Sequence, residues 1–99
     1  MPAYVIGEIE VTDPVAYEDY RRQVPAVLAA YGGRYLVRGG DATRLEGAGE
    51  PRRLVVLEFP TMAQLRAFYD APEYQPVKAI RLRASSGRLV AVEGVAPPA

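Results

Sequence analysis

Apolar and polar positions along this chain follow two rhythms, and each change of rhythm marks an element. Residues 3–11 (Ala-Tyr-Val-Ile-Gly-Glu-Ile-Glu-Val) are rich in β-branched and aromatic types, which predicts a strand. Thr12-Asp13-Pro14 announces a helix: Asp13 can cap free N–H groups, and proline fits the first helical position because its missing N–H would be unpaired there. Tyr17, Tyr20, Val24, Val27, Leu28 and Tyr31 then recur at spacings of three and four, one helical face. Pro25 lies inside that helix and removes one backbone bond, which predicts a kink or break near Arg21 and Arg22. Gly32-Gly33 ends it.

Residues 34–38 read as a second strand, extended by residues 42–46 beyond a bend at Gly39-Gly40-Asp41. Gly47-Ala48-Gly49-Glu50-Pro51 is a turn, and residues 52–59 form a third strand whose continuous apolar run predicts an interior place with both faces covered. The short link makes strands two and three antiparallel neighbours. Thr61 and Gln64 make a capping-box pattern for a second helix, with Met62, Leu65, Phe68 and Tyr69 on its buried face. Asp70-Ala71-Pro72 interrupts it. A further helix is expected from about Glu73 to Ala84, with Tyr74, Val77, Ile80 and Arg81 on one side, stopped by Ser85-Ser86-Gly87. Residues 88–95 make the last strand, and residues 96–99 a frayed tail.

The order β-α-β-β-α-β predicts one domain over residues 1–99 of the α+β class: a ferredoxin-like, four-stranded antiparallel sheet with helices on one face. The strands carry apolar residues at both parities. Val5, Ile9 and Val11 stand beside Tyr4 and Ile6, and Val55 and Leu57 beside Leu54 and Val56. Both sheet faces therefore want cover, and a second copy of the chain supplies the side the helices leave open. A homodimer burying at least ~1,200 Å² is expected.

Composition narrows the chemistry. Twelve basic and twelve acidic residues cancel, so no long-range field draws in nucleic acid or an anionic membrane, and neither is an expected partner. The chain has no cysteine and no histidine. That removes disulfides, thiolate chemistry, a Ser-His triad, soft-ligand zinc and histidine-ligated haem. No nucleotide-binding turn is present, so no cofactor and no metal site are expected. No apolar run reaches the ~18 residues of a membrane span, and the chain opens on a strand pattern without a basic leader, which gives a cytoplasmic expectation.

Several stretches together resemble a known family: Tyr4-Val5-Ile6, Thr12-Asp13-Pro14-Val15-Ala16-Tyr17, Tyr20, residues 32–40 (Gly-Gly-Arg-Tyr-Leu-Val-Arg-Gly-Gly), Glu58-Phe59-Pro60, Ala71-Pro72-Glu73-Tyr74-Gln75 and Gly87-Arg88-Leu89-Val90. The chain resembles the DUF1330 family of uncharacterised bacterial proteins from Ala3 to Gly94. The resemblance implies membership of the dimeric α+β barrel superfamily, in which two sheets close into a barrel. That superfamily includes cofactor-free monooxygenases, haem-dependent enzymes and isomerases, while DUF1330 itself implies no established reaction. Tyr31 stands where many members have histidine, so a histidine general base at that place is not available to this chain.

Five residues stand out as ligand-binding candidates. Arg38 and Glu58 each put a charge into an apolar strand, and unpaired burial of a charge is costly. By alternation Arg38 shares a face with Arg34 and Leu36, and Glu58 on the neighbouring strand is expected to point to the same region. The pair either orients an oxygen-bearing ligand or forms a structural ion pair at a strand or dimer seam. Among the seven tyrosines, Tyr17 and Tyr74 lie in the matched stretches and either offer a phenol to a ligand or fill the core. Arg81 either reaches a pocket from its helix or is a solvated charge. The functional expectation is a small dimeric protein that holds a small oxygen-bearing organic molecule between sheet and helices, as a metal-free and cofactor-free enzyme of monooxygenase or isomerase type. The alternative is a non-catalytic dimeric binding or structural module.

Overall fold

In the computed structural model, which describes residues 1–96, the caps fall where the sequence places them. Asp13 accepts the Ala16 N–H at 3.2 Å and Pro14 opens α1 (Pro14–Ala30). Thr61 accepts the Gln64 N–H at 3.1 Å at the start of α2 (Met62–Asp70). The strands are β1 (Ala3–Val11), β2 (Arg34–Arg38), β3 (Arg53–Phe59) and β4 (Ser85–Glu93), and α3 (Gln75–Ala84) runs directly into β4. They form one antiparallel sheet in the order β2-β3-β1-β4. This is the expected ferredoxin-like α+β fold, with the second helix divided in two at Ala71-Pro72.

The core lies between one sheet face and the helices. Ala3, Val5 and Ile9 of β1 and Leu57 and Phe59 of β3 meet Tyr17, Tyr20, Val24 and Leu28 of α1 and Leu65, Phe68, Tyr74 and Val77 from the other two helices and the turn between them. Gly33 lets the chain enter β2 close to this core, because a Cβ there would stand 2.4 Å from Leu28 Cδ1 and 2.6 Å from Phe59 Cε1.

Three expectations need correction. The expected break at Pro25 is absent, since α1 is continuous through it. The second strand ends at Arg38 rather than continuing through residues 42–46. Gly39 turns at φ +73, donates its N–H to the Leu54 carbonyl at 2.8 Å, and releases the chain into an exposed loop over residues 39–52. The expected stop at Ser85-Ser86-Gly87 instead opens β4, which spans residues 85–93 rather than 88–95. Ser85 Oγ donates to the Arg81 carbonyl at 2.6 Å, satisfying the helix end while its backbone already pairs with Val11. The face of β3 opposite the helices is uncovered within the single chain, the side expected to be left to a second copy. The tail expected at 96–99 lies, beyond Ala96, outside the described residues.

The uncovered face carries an ordered pattern. The register aligns Val37, Val56, Ile6 and Val90 in one row across all four strands. On one side lies the row Arg34, Glu58, Tyr4 and Val92; on the other, Leu54, Glu8 and Arg88. Ile6 on the interior strand β1 and Val90 and Val92 on the edge strand β4 are more than 40% exposed, an aliphatic patch left open to solvent.

Candidate functional site

A small cavity of about 40 Å³ lies between the sheet and the helices. Its floor includes Val5, Val55 and Leu57. Four arginines, Arg21, Arg38, Arg53 and Arg81, and four tyrosines, Tyr17, Tyr20, Tyr35 and Tyr74, provide its polar lining, and Tyr69 closes one side. No carboxylate or lysine is among the lining residues.

The local sequence positions each group. Pro25 has no N–H to give the Arg21 carbonyl one turn earlier, so that acceptor lacks its helical donor. Arg38 of β2 supplies one instead, donating from its guanidinium to the Arg21 carbonyl at 2.5 Å. The proline read as a helix breaker thus leaves an anchor for a site arginine. Arg38 also lies 4.4 Å from the Tyr35 ring centroid, and Arg53 lies 5.6 Å from that of Tyr17, both cation–π placements. The Tyr20 and Tyr74 hydroxyls are hydrogen-bonded at 3.0 Å in the interior, facing Arg81. Arg81 is only 8% exposed.

The charge balance of the lining is one-sided. Among the described residues, Arg38, Arg53 and Arg81 form no salt bridge; Arg21 meets Glu18 at 3.2 Å on its outer side. The Nε atoms of Arg21, Arg53 and Arg81 are buried without a hydrogen-bond partner. Burial raises the Tyr20 hydroxyl well above its usual pKa, with its neighbour Tyr74 adding to the effect. Burial also raises Tyr35, partly offset by Arg38. These two phenols are therefore neutral at physiological pH and act as hydrogen-bonding groups, not as bases.

The Tyr20 shift has a consequence for stability. A phenol whose folded pKa lies above its unfolded value of 10.0 contributes stability fully below that pH. The contribution is lost as the pH climbs from there toward the folded value. Unfolding free energies from urea titrations between pH 9 and 11.5 should fall by up to ~1.4 kcal/mol per pH unit for this group above pH 10, and Tyr20→Phe should flatten the fall.

The five sequence candidates divide. Arg38, Tyr17, Tyr74 and Arg81 all line the cavity. Glu58 does not. It lies on the opposite sheet face, where Arg34 Nε donates to it at 2.7 Å. The expected Arg38–Glu58 pair is thus split between faces, and the cause is a bulge. Leu36 has no partner in the register between Tyr35↔Leu57 and Val37↔Val56, so parity flips after it. Arg34 stays on the Glu58 face while Arg38 crosses to the Leu57 face. Tyr31 also stands apart, its hydroxyl donating to the Glu73 carboxylate at the surface. Sequence reasoning missed Tyr35, Arg53 and Arg21 as site residues. Arg53 was legible, because it shares parity with Val55 and Leu57. Tyr35 was hidden by the same bulge.

A family model described as "Domain of unknown function (DUF1330)" matches residues 2–95. The chain belongs to the DUF1330 family. No curated protein matches the sequence of this DUF1330 member. Among solved structures, a protein of unknown function from Rhodopseudomonas palustris is 19% identical with a TM-score of 0.78, covering 97% of this chain and 84% of that one. SnoaB, a cofactor-independent oxygenase from Streptomyces nogalater, is 13% identical with a TM-score of 0.69, covering 97% and 95%. A dimeric ferredoxin-like protein of unknown function from Jannaschia sp. is 17% identical with a TM-score of 0.65, covering 95% and 100%. At these identities the likeness is one of fold. No helix among the described residues is long and apolar enough to cross a membrane.

Proposed function

We propose that this DUF1330 protein is a homodimer, joined through the uncovered sheet faces into an α+β barrel, and that each subunit holds a small oxygen-bearing organic molecule in the arginine–tyrosine cavity. The observation that carries the ligand reading is the set of buried guanidinium Nε atoms of Arg21, Arg53 and Arg81, left without partners around one cavity. A structural core does not retain such groups without a use, because an unsatisfied buried donor costs on the order of 1–3 kcal/mol. The dimer reading is supported by the four-residue aliphatic row Val37–Val56–Ile6–Val90. The printed description of the Jannaschia neighbour as dimeric agrees with it.

The chemistry we propose is metal-free and cofactor-free, of monooxygenase or isomerase type, and the likeness in fold to a cofactor-independent oxygenase supports that choice. Reactions of this type pass through a substrate anion, which nearby guanidinium groups favour over its neutral parent. The lining offers no carboxylate, histidine or amine to take the proton, so the proton leaves to solvent water and the residues of the cavity act by stabilising the resulting anion and orienting it through the hydroxyls of Tyr17 and Tyr74.

A thermal-shift panel of small phenols, enolisable ketones and carboxylic acids tests the ligand reading. At least one class should raise the Tm of the wild type. Val55→Phe, which fills the cavity from the strand side, should remove that shift while the circular dichroism spectrum stays native. A panel without any shift, or a shift that survives Val55→Phe, would contradict the reading.

A further inference from the structure

The cavity is too small for a whole organic substrate, and its surroundings show how one would lie. A buried water needs roughly 10–15 Å³ of such space, so about 40 Å³ accommodates on the order of three heavy atoms. Three heavy atoms are a carboxylate group. Next to the cavity runs a wider groove of about 300 Å³ between α2 and β4, lined by Leu65, Leu89, Val90 and Ala91 and, from α2, by the charged Arg66 and Asp70. Cavity and groove share Val5, Tyr69 and Leu89 as their common wall.

Resting on the ligand-site reading above, we infer that the ligand is a carboxylate with a short apolar or aromatic body. Its carboxylate sits in the cavity against Arg81, Arg38 and Arg53, and its body passes Tyr69 and Leu89 into the groove.

Charge argues for the anion. Apart from the outward-paired Arg21, the guanidinium groups here have no acidic partner among the described residues, and a neutral ligand would leave them uncompensated. Shape argues for a planar two-oxygen group, since guanidinium forks match carboxylates in bidentate geometry. Tyr69 is 37% exposed, and its ring is held from outside by Lys78, whose ammonium lies 4.4 Å from the ring centroid. It is the wall between cavity and groove with the most room to turn outward. The Tyr20 and Tyr74 hydroxyls are hydrogen-bonded to each other, and whichever accepts in that bond keeps its own O–H to donate toward the head group.

Calorimetric titration at constant ionic strength, with 3-phenylpropanoate and its neutral isostere 3-phenylpropanamide, tests this. The carboxylate should bind at least about tenfold more tightly than the amide, the discrimination expected from a charge-assisted pair. In Arg81→Met and in Arg38→Met that ratio should fall toward one. If Arg81→Met does not fold, Arg53→Met carries the same test from a different strand. Equal or tighter binding of the amide would overturn the anion inference while leaving a ligand pocket in place. A ratio that persists in the arginine variants would place the carboxylate elsewhere and overturn it as well. No binding of the carboxylate up to its solubility limit would overturn the inference, and the pocket reading would then stand or fall with the thermal-shift panel.

Discussion

Val56→Lys will separate the proposed dimer into monomers. Val56 is at the middle of the aliphatic row on the uncovered face, with Ile6 beside it on β1 and Val37 on β2. If two such faces pack against each other, the row falls near the centre of the interface, where water is excluded. A lysine there must either bury an unpaired ammonium, at a cost of several kcal/mol, or hold the sheets apart. Light scattering at micromolar concentration should report a dimer for the wild type and a monomer for the variant. Because the face opposite the helices adds little to the core of the single chain, the variant should keep its circular dichroism spectrum. Arg34→Ala, at the rim of the same face, should matter far less. Its pair with Glu58 is 69% exposed on the arginine side, and pairs of that kind are worth ~0–1 kcal/mol. A wild-type monomer, or a Val56→Lys dimer, would contradict the proposed interface.

Gly87→Ala will destabilise the fold by roughly 2–4 kcal/mol, lowering Tm by on the order of 10 °C or more. Gly87 has φ +146, a region that side-chain-bearing residues rarely occupy, and it lies opposite Ile9 in the β1–β4 ladder. A Cβ at this position would stand 2.0 Å from the carbonyl oxygen of Glu8 and 3.1 Å from the Ile9 Cα. Both obstacles are backbone atoms of β1, so relief requires moving the strand itself. The glycine lets β4 leave the end of α3 without a loop. Its substitution should therefore loosen both the α3 end, where Arg81 sits, and the β4 pairing that forms the groove wall. Hydrogen exchange should show lost protection at β4 before the rest of the sheet. Unchanged stability of Gly87→Ala would mean that this junction adapts, contrary to the account.

Most of the fold was legible in the sequence because local signals and periodicity agreed. Asp13-Pro14 and Thr61 cap the helices that follow them, and the strand parities of β1 and β3 match the core. What could not be read were places where one residue changes the geometry non-locally. Leu36 looks like any apolar strand residue, yet its bulge decides which face Arg38 meets, and that decision rests on pairing with β3. Gly87 looks like a helix stop, and only the approach of β1 makes it the start of a strand. Pro25 looks like a breaker, and its role depends on a guanidinium arriving from β2. The candidate site was therefore half visible: Arg38, Arg81, Tyr17 and Tyr74 were named, Arg53 was legible by parity, Tyr35 needed the register, and Arg21 needed the packing of α1 on the sheet.

Arg81→Met separates a structural from a ligand-holding role for the buried charge. A structural arginine would be missed by the fold. A ligand-holding one imposes desolvation and repulsion on the empty protein, so its replacement by an apolar side chain of similar length should leave unliganded stability unchanged or raise it by ~1 kcal/mol. Denaturant midpoints without added ligand check this.

The central claim is that the cavity between sheet and helices holds a ligand through its arginines. The most direct test is a crystal structure of the wild-type protein soaked with 3-phenylpropanoate. The account predicts continuous density with the carboxylate within hydrogen-bond distance of the Arg81 and Arg38 or Arg53 guanidinium groups and the ring beside Leu89. Density confined to the surface, with the cavity unchanged, would contradict it.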